Sequence, residues 1–549
     1  NVYMLIYLYT IILLTDCTLV ERTTRYGILH GTRIVADHTE AEVFSSIPFA
    51  EPPIGNLRFE SPKALAADDK RVINTTEVYS CIQSFLLDGF SSSIHQSEDC
   101  LYMKVITPVR RQNDSKYPAV IWIHGGSYSV GLNDMYQNEN VIRHFTSKGI
   151  VFIAPNYRLN ILGFMSMGES DFAGNYGLED ILCAAEMIKS LADDFNLDME
   201  RLTIAGESAG AALASLLSIS PRAQNMFSST ILISGSSQNI WAIRESSTIA
   251  TTALCALHCR CAKSSALQMK ECLKTKDLDC LSSYQKYLLI PNQDTWLEPL
   301  RMGSALFTPV VDNYRQNLSL LPEPPEVLIS KYGRGPILIS VTTDEGKNIR
   351  ILNNLIEYTC GNVQTCTSDR LKLLINSLIS SNPQAIQELS PFIFEKYFQS
   401  FITLSDNSTI LEISNMLTRD MTSSVYHEAL LYSLNNISVY TLENEVHSSE
   451  PTAHGHDTSS LFGSDLFHSG CDNCRERTQF ASKFAEILTT FIKMKQISDF
   501  QPFNSLNRIA HKLNENGITV IDWHTEDYYF WWQTIRLIQK NVYRKLVMT

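Results

Sequence analysis

Four strand-forming residues, Leu202-Thr203-Ile204-Ala205, run without a break into Gly206-Glu207-Ser208-Ala209-Gly210, and a small-residue stretch continues to Ile219. No other passage constrains the chain as strongly. A strand that ends in such a turn and passes at once into a helix must bend sharply. Glycines two before and two after the serine let the backbone bend without side-chain clashes. G-x-S-x-G alone is also met in ordinary Gly/Ser turns; the strand–turn–helix context favours a serine displayed as a nucleophile. A serine hydroxyl is reactive only when a base removes its proton and donors stabilise the developing oxyanion. A base and a donor loop are therefore expected elsewhere in the sequence.

Further segments read as buried strands, apolar and rich in branched residues: 119–123, 150–154, 230–234, 336–340 and 439–442. Helical stretches such as Leu178 to Leu191 and Ala209 to Ile219 lie between them. Continuous apolar strands alternating with helices predict a mostly parallel sheet covered on both faces, an α/β fold. Phe480, Phe484, Leu488 and Phe491 recur at helix spacing and predict one more core-facing helix. No repeat and no Pro/Gly/Ser-rich linker divides the sequence. Residues 18–549 are expected to form one domain, with long insertions around 250–330 and 350–430 that build the walls of a cleft.

The 549 residues are 44% apolar and 19% charged, as in folded globular proteins. A formal net charge of -13 excludes a nucleic-acid backbone as the natural partner. Val2 to Leu14 is an apolar run too short to span a bilayer comfortably, so residues 1–17 are expected to be a signal peptide, with an uncleaved anchor as the alternative. No stable membrane span is expected further on. Asn-X-Ser/Thr acceptors at Asn74, Asn113, Asn317, Asn407 and Asn436 suit a secreted glycoprotein. Thirteen cysteines point the same way. The close pairs Cys81/Cys100, Cys261/Cys272, Cys360/Cys366 and Cys471/Cys474 read as local disulfides. Cys183 reads as a buried small hydrophobe, and Cys255, Cys259 and Cys280 are left with one partner short.

A donor loop is visible upstream. The strand Ile121-Trp122-Ile123 ends in His124-Gly125-Gly126-Ser127, and glycines there allow a backbone to approach a carbonyl oxygen closely. The second donor of such a hole is the amide after the nucleophile, that of Ala209.

Taken with Phe44 to Phe59, Ser97 to Val105, Asn156-Tyr157-Arg158, Leu162-Gly163-Phe164 and Gly174 to Asp180, the serine block resembles the type-B carboxylesterase/cholinesterase family over nearly all the chain after residue 25. The resemblance implies an α/β-hydrolase fold with a gorge formed by the insertions. It also implies ester hydrolysis through a Ser-His-Glu triad and an acyl-enzyme. The acid would be Glu345 of Asp344-Glu345-Gly346, with Asp344 its chemical rival. The base would be His454 of His454-Gly455-His456-Asp457, with His456 and His447 as rivals. The resemblance further implies an oxyanion hole from Gly125, Gly126, Ser127 and Ala209. It makes Cys81–Cys100 and Cys261–Cys272 disulfides, Arg58–Glu98 a structural ion pair, and Glu207 a residue that tunes a polar network. His454, His456, His468, Cys471 and Cys474 do not space as paired metal ligands, and neither metal nor cofactor is expected.

Three departures from the family pattern stand out, the second of them in a structural turn. Ser127 stands where the family has a third glycine, and its Cβ is expected to narrow the hole or alter acyl preference. Asp193 to Asp198 replaces a glycine-bearing family turn. Cys81 to Cys100 contains no Trp, and Asn348 and Ile349 occupy aromatic gorge positions, so the cation–π site of a choline esterase is missing. Trp241 matches an acyl-pocket position. The expected substrate is a small uncharged ester. A non-catalytic adhesion relative, a lipase and a choline-ester specialist are the competing readings; the first typically loses a triad residue, and none is lost here.

Overall fold

The structure is a computed structural model. It describes residues 18–83, 95–110, 115–281, 307–347, 383–397, 407–447, 452–463, 474–523 and 525–536.

The strands are β1 (Thr18–Thr24), β2 (Gly27–Ala36), β3 (Thr39–Pro48), β4 (Val72–Asn74), β5 (Tyr79–Cys81), β6 (His95–Ser97), β7 (Tyr102–Pro108) and β8 (Tyr117–Ile123). They continue with β9 (Val151–Pro155), β10 (Leu197–Glu207), β11 (Ser229–Ile233), β12 (Ile337–Thr342), β13 (Val439–Asn444), β14 (Ile509–Leu513) and β15 (Ile518–Asp522). The main sheet has the order β1-β2-β3-β7-β9-β8-β10-β11-β12-β13-β14-β15, with β4 beside β2. Its interior, β9 through β14, is parallel throughout. Both ends turn antiparallel: β1, β2, β3, β7 and β9 on one side, β14 and β15 on the other.

The apolar runs predicted as strands are the parallel interior, and alternation explains why. On β8, Ala119, Ile121 and Ile123 enter one core while Val120 and Trp122 enter the other. On β12, Ile337, Ile339 and Val341 face the first core and Leu338 the second. Each such side chain removed from water is worth about 1.5–3 kcal/mol, so strands apolar on both faces are stable only when helices cover both. The predicted helices are Tyr176–Ser190 and Ala209–Ser218, which line the first core. Helix Cys474–Met494 covers the second with Phe480, Phe484, Leu488 and Phe491, all fully buried. Trp122 anchors that face, its ring 4.7 Å from Phe462 and 6.1 Å from Phe152.

Disulfides join Cys81–Cys100, Cys261–Cys272 and Cys259–Cys280. The third resolves the unassigned cysteines: Cys259 pairs with Cys280 around the Cys261–Cys272 bridge, and Cys255 is a buried thiol, as is Cys183. The expected pairs Cys360–Cys366 and Cys471–Cys474 involve residues outside those described. Arg58 grips Glu98 with two 2.6 Å hydrogen bonds and donates to the carbonyls of Lys274 and Lys276. It thereby ties the first disulfide loop to the nested pair. Where the family turn carries glycine, Asn196 adopts φ 53°; the Leu197 N–H closes the turn on the Ala192 carbonyl at 2.7 Å, and the Asn196 carbonyl accepts from the Tyr117 N–H at the start of β8, 2.8 Å. Asn tolerates this left-handed conformation better than most residues. Among the described residues no helix is long and apolar enough to cross a membrane.

Candidate active site

Four parallel strands deliver the predicted site residues from their C-terminal ends, where α/β sheets gather ligands. β8 leads to Gly125–Ser127, β10 to Ser208, β12 to Glu345 and β13 to His454.

Ser208 sits between β10 and helix Ala209–Ser218 with φ 56° and ψ -125°. A non-glycine residue held there stores on the order of 1–3 kcal/mol of strain, so its surroundings must over-determine it. The Ser208 amide donates to the Ile233 carbonyl at 2.8 Å. A Cβ on Gly206 would meet the Gly210 carbonyl carbon at 2.3 Å, and one on Gly210 would meet the Ile123 carbonyl oxygen at 2.1 Å. Both glycines are thus forced by close backbone approach, which is the reason for the motif.

Glu345 is buried in the turn after β12. Its Oε1 accepts from the Thr342 amide and the Ser234 hydroxyl, each at 2.7 Å, and its Oε2 lies 2.6 Å from His454 Nδ1. Asp344 faces elsewhere, accepting from Ser414 and Thr418 at 3.1 and 2.9 Å, while Thr418 also accepts from the Gly346 amide. Of the two carboxylates, then, only Glu345 meets the imidazole. His447 pairs with Glu476 at 3.2 Å. His456 opens helix His456–Phe462, and His468 lies outside the described residues.

The other side of the imidazole meets Glu207, whose Oε1 is 3.4 Å from His454 Nε2. Burial pushes the Glu207 carboxyl up to about 7, against the pull of His454. Burial likewise raises Asp457 to about 6, although Asn444 and the Thr458 amide each donate to it at 2.7 Å. Burial opposes the charged imidazole of His454, but the Glu345 hydrogen bond and charge, then Glu207 and Asp457, outweigh it and lift His454 to about 9. Three carboxyl groups thus favour a proton on one imidazole, which suits a base that becomes imidazolium during reaction.

The donor loop lies against the serine. A Cβ on Gly125 would fall 2.5 Å from Glu207 Oε2 and 3.1 Å from Ser208 Cβ. Gly126, Ser127 and Tyr128 take φ 107°, 55° and 58° in succession. Ser127 therefore occupies glycine-like backbone, with its side chain exposed. His124 anchors the loop from below: it stacks on Tyr157 at 4.4 Å, its Nδ1 lies 2.9 Å from the Gly125 carbonyl, and burial lowers it to about 4, keeping it neutral. The Tyr157 hydroxyl donates to the His124 carbonyl at 2.9 Å. Trp241 is half-buried, 6.2 Å from the Tyr128 ring, whose hydroxyl donates to the Ala242 carbonyl. Asn348 and Ile349 lie outside the described residues. Sequence reasoning missed Ser234, which orients Glu345; a lone serine after a strand carries no signal until the sheet brings it to β12.

The model of the carboxylesterase family matches residues 19–531. Gut esterase 1 of Caenorhabditis briggsae is 34% identical over 330 residues, 60% of this chain and 55% of its own length. Gut esterase 1 of Caenorhabditis elegans is 33% identical over 355 residues, 64% and 58% respectively. Juvenile hormone esterase of Heliothis virescens is 27% identical over 396 residues, 69% and 66%. The chain spans a little over half the length of the two gut esterases it matches. With nearly the whole chain matched, it belongs to the carboxylesterase family.

Proposed function

We propose that this protein hydrolyses carboxylic esters, with Ser208 as nucleophile, His454 as general base and acid, and Glu345 as the acid that orients His454. The observation that carries the reading is the 2.6 Å contact of Glu345 with His454 Nδ1, at an imidazole whose opposite nitrogen faces the residue preceding Ser208. In this mechanism His454 Nε2 takes the Ser208 proton as Oγ attacks the ester carbonyl. The amides of Gly125, Gly126, Ser127 and Ala209 stabilise the oxyanion. The tetrahedral adduct collapses as His454 passes the proton to the leaving alcohol, and water then deacylates Ser208 by the same steps.

The preferred substrate is a small uncharged ester. Supporting this are the missing choline-site aromatics and Trp241 beside Tyr128, a bulky wall for an acyl group. Secretion is supported by three disulfides, rare in reducing compartments. Asn74, Asn317 and Asn436 are exposed and open to glycosylation; Asn113 and the expected signal-peptide stretch 1–17 lie outside the described residues. The test is a series of nitrophenyl esters of rising acyl length. Turnover is expected to fall beyond short chains and to vanish in Ser208→Ala; turnover that survives this substitution contradicts the mechanism.

A further inference from the structure

The segment Ser234–Gln238 touches both halves of the site. The Ser234 hydroxyl holds Glu345 Oε1 at 2.7 Å. A Cβ on Gly235 would lie 2.2 Å from the Ser208 carbonyl oxygen, so this backbone packs directly beneath the nucleophile. A shift here moves the acid and the serine relative to each other.

Beneath this segment is a fully buried carboxyl that the esterase mechanism does not use. Glu428, on the 28-residue helix Asn407–Leu434, has none of its surface exposed. Its Oε1 accepts from the Ser215 hydroxyl, on the helix that Ser208 begins. Its Oε2 accepts from the Ser237 hydroxyl at 3.0 Å, and the Ser236 hydroxyl and Ser237 amide also reach it. All these donors are uncharged. Burial raises the carboxyl, and the serine hydrogen bonds offset part of that. A buried carboxyl without a cation is costly to keep. An apolar residue in its place would avoid that cost but leave the buried Ser215, Ser236 and Ser237 donors unpaired, so the carboxyl is what joins the helix after Ser208 to the Ser234–Gln238 segment.

The same helix grips the acid turn one end earlier. Ser414 and Thr418 donate to Asp344, and Thr418 accepts from Gly346. Positions 414, 418 and 428 lie along one helical face. One rigid element therefore registers the acid turn, the Ser234–Gln238 segment and the nucleophile helix against each other.

We propose that Glu428 is a positioning residue that sets the distance between Ser208 and the Glu345–His454 pair by tying Ser215 to Ser236 and Ser237. The proposal rests on Ser208 being the nucleophile. Its test compares the wild type, Glu428→Leu and Glu428→Gln by second-order rate of fluorophosphonate labelling, by kcat and KM on nitrophenyl acetate, and by thermal melting. Glu428→Leu leaves the buried serine donors without their acceptor and is expected to melt below the wild type, while the folded protein labels and turns over about 100-fold more slowly, the cost of a misplaced reacting group, with KM little changed. Glu428→Gln keeps one carbonyl acceptor for Ser236 and Ser237 and presents an NH2 that the Ser215 hydroxyl can accept from, and should restore both rates to within about threefold of wild type. Wild-type labelling in Glu428→Leu overturns the proposal and leaves the esterase reading standing, as does a Gln variant as slow as the Leu variant. A folded wild type that takes no label overturns both. If Glu428→Leu does not fold, Ser237→Ala decides: about fivefold slower labelling is expected for one lost bond, and an unchanged rate overturns the proposal.

Discussion

The two sides of the site are held by different physics. Glu345 and Asp344 are fixed by hydrogen bonds, from Thr342, Ser234 and His454 to the first and from Ser414 and Thr418 to the second. Ser208 and the Gly125–Ser127 loop are fixed by backbone sterics, through Gly125, Gly206, Gly210 and Gly235 in contact with chain atoms, and by left-handed dihedrals at Ser127, Tyr128 and Ser208. The hydrogen-bonded side is the more sensitive to changed protons. The sterically defined side is the more sensitive to one added methyl group. Chemistry that depends on a proton's position is thus separated from chemistry that depends on an atom's position.

Four substitutions probe this contrast, in falling order of effect. Glu345→Gln adds no volume but reverses a donor and an acceptor, forcing the wrong His454 tautomer; ester turnover is expected to drop about 10⁴-fold with the fold intact. A drop under tenfold would show that the proton pattern there matters little. Gly210→Ala leaves polarity alone and places a methyl 2.1 Å from the Ile123 carbonyl. It should cost about 100-fold in turnover and about 1–3 kcal/mol in unfolding free energy by denaturant melts; wild-type behaviour would refute the steric account.

The third is a pH effect. The proposed mechanism uses His454 in its neutral form, and its neighbours hold the imidazole up to about 9, so kcat/KM should rise with pH toward that value. Glu207→Gln removes a negative charge that favours the imidazolium, so the rising limb should move to lower pH. A limb that stays in place, or moves up, separates Glu207 from His454. Smallest is Ser127→Gly, which relieves φ 55°; a gain of up to about 1 kcal/mol in stability is expected, glycine's unfolded-state entropy offsetting part of the relief. A clear loss on melting would mean the Ser127 side chain is holding the loop.

The parallel half of the sheet was legible because its strands are apolar on both faces, as on β8 and β12. The antiparallel end was not. β1 and β2 are half exposed and carry Arg22, Arg33 and Glu21, with Arg22 and Arg33 paired to Glu42 on β3, so no apolar run marks them. The tight turn at Ser208 was legible because a close backbone approach demands glycines at fixed spacing. Glu345 over Asp344 was a matter of family register, since adjacent carboxylates look alike until the sheet aims them. Glu428, Ser215 and Ser237 were invisible for a related reason: they lie far apart in sequence, and only packing of helix Asn407–Leu434 on the nucleophile helix joins them.

The central claim is that Ser208 is an activated nucleophile. Its most direct measurement is fluorophosphonate labelling of the folded protein, followed by mass spectrometry of the modified peptide. One label per chain is expected, on Ser208, absent in Ser208→Ala and slowed in Glu345→Gln. A folded protein that takes no label, or takes it on another residue, contradicts it.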